Sequence, residues 1–80
     1  MRDVDVVAVR ELLESVKIKH GNRIQYTVRP KQKKIIAWPA SRQQEEFIMS
    51  DTLTPTALNG IREWFEQLAY ISTIPTTENL

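Results

Sequence analysis

Between residues 15 and 44 lie Lys17, Lys19, Arg23, Arg29, Lys31, Lys33, Lys34 and Arg42, with no aspartate or glutamate among them. Cations at that density neutralise phosphates and displace their counterions. Within the stretch, "RPKQKKIIAWPA" (residues 29–40) adds Trp38. A tryptophan beside a basic turn offers a face on which an unpaired base can stack, worth roughly 1–3 kcal/mol per base. Arg23, Arg29, Lys31, Lys33, Lys34, Trp38 and Arg42 are therefore the candidate nucleic-acid contacts. The chemistry is largely independent of base sequence and does not separate DNA from RNA. The competing reading is a solvated turn that runs into a buried strand.

Other chemistry finds few residues to carry it. His20 is the single histidine and cysteine is absent, so a zinc site lacks its usual ligands and no metal is expected. His20 reads instead as a helix-end cation or a packing residue. Gly21 and Gly60 are isolated and cannot form a phosphate-cradling loop. The acid pairs are Asp3 with Asp5 and Glu45 with Glu46; neighbours on a strand point to opposite faces, so Glu45 and Glu46 do not converge. No spacing joins His20 to Ser15 or Ser41 as a nucleophile and its base. A non-enzymatic chain is expected, with no catalytic residue and no cofactor.

The net charge of +1 conceals a partition. Residues 1–14 set Arg2 and Arg10 against four acids, for −2, and residues 45–80 set Arg62 against six, for −5. The basic segment between them carries +8. Such a chain is two-signed in three dimensions unless its own acids fold back onto the cations. At 41% hydrophobic and 26% charged it is composed like a globular domain rather than a disordered one. No apolar run approaches the roughly 18 residues of a membrane span. With no cysteine, and with two aspartates in the opening MRDVDVV, a cytoplasmic address away from membranes is expected.

Five elements must position these residues. Over residues 5–19, Val6, Val9, Leu12, Leu13 and Val16 recur at helical spacing, with Asp5 as the N-cap and Gly21 as the left-handed terminator. Residues 23–29, RIQYTVR, alternate as a half-buried strand, Pro30-Lys31-Gln32 turns the chain, and Lys34–Trp38 returns as a second strand. Glu45–Met49 gives a short third strand. Thr54 caps a final helix with Pro55 in its first position, Leu53 and Leu58 as a hydrophobic staple, and Leu58, Ile61, Trp64, Phe65, Leu68 and Ile71 as its apolar stripe. Gly60 inside that stripe suggests close approach of the backbone to the sheet. The expected core is Ile61, Trp64, Phe65 and Leu68 beside Leu13 and Tyr26.

The order α-β-β-β-α predicts a two-layer α+β domain over residues 1–72, a three-stranded antiparallel sheet with both helices on one face, and a loose tail over residues 73–80. This order is similar to that of the double-stranded RNA-binding domain. The likeness ends there, because that fold's basic run at the start of the last helix is replaced by the acidic TPTALNGIREWFEQ.

Hairpin register decides which side chains are open. A two- or four-residue turn sets Val28 opposite Ile35 and Tyr26 opposite Ala37, whereas a three-residue turn flips every side chain. The first arrangement is preferred, since the second would place Lys34 in the core. The open face then shows Arg23, Gln25, Thr27 and Arg29 beside Lys34, Ile36 and Trp38. Strands two and three are apolar on both sides, so Ile36, Trp38 and Ile48 form a candidate interface. That patch, or the acidic outer side of the final helix (Glu63, Glu66, Gln67), is the alternative: a protein-interaction module or a homodimer.

Overall fold

The computed structural model describes residues 2–40 and 43–73. Helix α1 spans Asp3–Lys19, β1 Ile24–Arg29, β2 Lys34–Pro39, β3 Glu45–Ile48 and α2 Pro55–Thr73, with a 3₁₀ turn at Pro30–Gln32. The sheet is antiparallel in the order β1-β2-β3 and both helices cover one face, so the α+β architecture is the expected one.

The hairpin turn holds four residues. Pro30–Gln32 form the 3₁₀ turn, and Lys33 adopts a left-handed backbone with φ 55°, returning the chain so that Arg29 faces Lys34. This four-residue loop sets Val28 opposite Ile35 and Tyr26 opposite Ala37. Ile24, Val28, Ile35, Ala37 and Met49 are consequently buried against the helices. Val9, Leu13 and Val16 from α1 and Ile61, Phe65, Leu68 and Ala69 from α2 complete the core. Each fully buried Leu, Ile or Phe contributes about 1.5–3 kcal/mol by leaving water. Trp64 and Tyr26, expected inside, are partly buried and pack against the core's rim.

The helix ends follow local rules with two exceptions. Thr54 Oγ1 accepts from Ala57 N–H at 3.1 Å, Pro55 opens α2, and Leu53 and Leu58 both pack on the core. Gly21, with φ 80°, ends α1 in the left-handed region. Asp5, however, is not the N-cap: α1 begins at Asp3 with Arg2 in the cap position. Asp5 lies within the first turn, buried, and accepts hydrogen bonds at 3.2 Å from Arg2 Nε and Nη2. The second exception is the end of α2, which runs to Thr73 and so takes in the first residue of the expected tail, with Ser72 in its last turn. The buried Ser72 hydroxyl donates to the Leu68 carbonyl at 3.0 Å and accepts from Ala40 N–H at 3.1 Å, fastening the end of β2 to the helix. Residues 74–80 of the expected tail lie outside the described residues.

Gly60 does not mark a close approach. A Cβ there would meet no atom within 4 Å, so the sheet imposes no need for glycine. Gly60→Ala should raise stability by about 0.5–1 kcal/mol through helix propensity alone. Thermal denaturation checks it; a lower melting temperature would show a constraint that the packing does not reveal.

The two helices are joined at the carboxyl end of α1. Lys19 Nζ donates to Glu66 Oε2 at 2.9 Å, Arg62 Nη1 donates to Glu66 Oε1 at 3.1 Å, and His20 Nε2 stands 3.8 Å from the same carboxylate. The Lys19 hydrogen bond is the largest of the influences that hold the Glu66 carboxyl below its ordinary range. Its folded pKa lies below the unfolded one, so the contribution is complete at neutral pH and is lost as pH falls through the folded value. Glu66→Gln should therefore melt lower than wild type at pH 7. The difference should narrow only below pH 4.5, the ordinary value for a glutamate. A difference that stays constant into strong acid would remove the charge from the explanation.

Candidate nucleic-acid interface

The sheet face turned away from the helices is open, and β1 supplies its outer row. Gln25, Thr27 and Arg29 alternate outward along the strand, opposite Trp38, Ile36 and Lys34 of β2. Arg23 precedes β1, and at about 3.3 Å per residue it stands roughly 20 Å from Arg29. Arg23, Arg29 and Lys31 are exposed, and among the described residues none of them is paired with an acid. Lys17 joins the row from α1, its Nζ donating to Gln25 Oε1 at 3.2 Å and lying 6.0 Å from the centre of the Tyr26 ring. Beside the hairpin turn a groove of about 560 Å³ runs between Asp3 and the segment Thr27–Gln32.

The remaining lysines of the turn are already engaged. Lys33 is ion-paired with Asp51, and Lys34 Nζ lies 3.4 Å from Glu46 Oε2. The hydrogen bond from Lys33 holds the Asp51 carboxyl below its ordinary range. Lys33 and Lys34 thus present less net charge than the sequence suggests, while Arg23, Arg29 and Lys31 keep theirs. The basic surface runs along β1 and ends at the turn, and is not confined to the tip.

Tyr26 anchors this strand from behind. Its hydroxyl donates to Glu14 Oε1 at 2.7 Å, and its ring meets Phe65 edge-on, with centroids 5.6 Å apart and planes at 87°. Burial first, and then the hydrogen bond to Glu14, push the phenol up to about 12, so it stays a neutral donor at any physiological pH. The rigid core face of β1 holds the outward residues in register.

Trp38 lies on the open face, half-buried, with Gln25 as its β1 partner. Ile36 shares that face but is only 7% exposed, which corrects its expected place in an accessible apolar patch. As a residue of the central strand it sits between Thr27 and Glu46 on its two sides and between Lys34 and Trp38 along β2. Ile48, on the edge strand, is 69% exposed. The expected trio thus divides into one buried, one half-buried and one open side chain. Arg42 lies outside the described residues.

Two features of the site escaped the sequence pattern. Lys17 reaches β1 across the packing of α1 on the sheet, and Glu46 and Asp51 neutralise lysines from β3 and the loop behind it. The first had a signal in the helical spacing of Lys17; the second depends on the β2–β3 register, which nothing local specifies. No helix among the described residues is long and apolar enough to cross a membrane. Comparison with known protein families, curated proteins and solved structures finds no match to this chain.

Proposed function

We propose that the chain is a non-enzymatic binding protein that takes single-stranded nucleic acid along β1, largely without regard to base sequence. The observation that carries the reading is the row Arg23, Arg29 and Lys31, paired with no acid among the described residues and extended by Lys17, on an open sheet face that also carries Trp38. Guanidinium and ammonium groups spaced along an extended strand suit a phosphate backbone, and the flanking aromatic suits unstacked bases. Gln25 and Thr27 add neutral hydrogen-bonding groups between the charges. A duplex offers phosphates but no free base face, so Trp38 favours single strands. The absence of cysteine fits a cytoplasmic setting, where such ligands are met.

The test is a titration with single- and double-stranded oligonucleotides of DNA and RNA, at low and at moderate salt. Binding to single strands that weakens steeply with salt is expected. A protein that binds no nucleic acid even at low salt would return the open face to the protein-interaction reading.

A further inference from the structure

Among the described residues the outer edge of β3 is unpaired, and its geometry selects a partner. Met49 N–H donates to the Lys33 carbonyl at 2.7 Å, and β3 runs antiparallel to β2 with Phe47 opposite Ile35. In an antiparallel ladder successive residues turn their backbone groups alternately toward and away from the neighbour. Glu45, Phe47 and Met49 therefore bond inward, and Glu46 and Ile48 direct N–H and C=O outward. Among the described residues neither is bonded to another backbone segment on that side. The opposite edge differs, because Tyr26 of β1 is tied to Glu14 of α1 and its neighbours Ile24 and Val28 are buried. At the β3 edge, Ile48 leaves a large apolar side chain in water, and no proline or bulge guards the strand.

We infer that β3 pairs antiparallel with β3 of a second copy about a two-fold axis at Phe47, joining two sheets into one of six strands. Outward groups must meet outward groups, so the axis passes through a residue and not between two. An axis at Glu46 would set that carboxylate against itself, as one at Glu45 would Glu45. An axis at Ile48 would set Asp51 against Glu45 of the other copy. The axis at Phe47 alone among these opposes no like charges: it sets the half-buried Phe47 on its own copy and Glu46 beside Ile48 of the other. An aromatic pair directly across an antiparallel ladder is a favourable cross-strand contact. Self-complementarity of charge is what commits the edge to a second copy rather than to a foreign strand. The pairing does not depend on the nucleic-acid reading, although it would align the two open faces.

The contact is small against the roughly 1,600 Å² of a standard interface, so the association is weak, on the order of micromolar to millimolar. Light scattering over that range should show the mass rising from 9.3 kDa toward twice that value. Ile48 is exposed but faces Lys34 across the β2–β3 ladder, so a thermal melt of each variant first establishes that the fold is kept. Ile48→Glu sets a carboxylate beside Glu46 of the other copy, twice per dimer, and should weaken association about tenfold. Ile48→Lys sets a cation in the same place and should leave it as strong or stronger. Loss of association in both variants would indicate an apolar patch with no register, and would overturn the inference. So would a wild-type chain that stays at the monomer mass to about 1 mM, far above usual dimer constants.

Discussion

Phe65→Ala should lower stability by about 3–5 kcal/mol, the range for truncating a buried phenylalanine. Phe65 is fully buried, meets Tyr26 edge-on and lies 6.1 Å from the centre of the Trp64 ring. It joins α2 to the strand that carries the basic row. A domain of this size has only about 4–12 kcal/mol in hand, so the variant should melt roughly 15–30 °C lower. Trp64→Ala should cost less, because the indole is half-buried and rests on the core's rim beside Phe47, with ring centres 5.2 Å apart. Equal losses from the two substitutions would mean that the core is centred nearer Trp64 than its burial indicates.

The stripe on α2 is readable because helical spacing is a local property. Ile61, Phe65 and Leu68 stand three and four residues apart, and one face of the helix must take them all. Alternation in RIQYTVR likewise sets which side of β1 meets the core. The avoidance of a buried Lys34 then selects the hairpin register. Where local pattern misleads, the deciding interaction is long-range or lies outside the pattern. Asp5 looks like a cap by residue type, but the chain enters the helix two residues earlier and Arg2 claims the carboxylate. Gly60 looks like a packing requirement and meets nothing. Ile36 looks exposed on an open face, yet the central strand is shielded by side chains from both neighbours, which only the β3 register supplies.

The same distinction governs the charge. Eight cations without an acid are visible in sequence, but which of them stay free is settled by Glu46, Asp51 and Glu66, remote in the chain. The second large effect follows from this. Replacing Arg23, Arg29 and Lys31 together by alanine should weaken binding to single strands on the order of a hundredfold at low salt. It should also flatten the dependence of log K on log salt by about 2, at roughly 0.7 for each phosphate no longer neutralised. All three side chains are exposed, so the melting temperature should hold. Glu46→Gln with Asp51→Asn acts in the opposite sense, freeing Lys34 and Lys33 and tightening binding. Affinity that does not respond to either set would detach binding from this face.

Amide chemical shifts place the ligand most directly. With a single-stranded oligonucleotide roughly ten nucleotides long, titrated into labelled protein at low salt, shifts should concentrate at Gln25, Thr27, Arg29, Lys31 and Lys34 and at the Trp38 amide and indole. The outer side of α2, around Glu63 and Gln67, should stay unchanged. Shifts confined to α2, or no shifts at all at saturating oligonucleotide, would contradict a nucleic-acid site on the open face of the sheet.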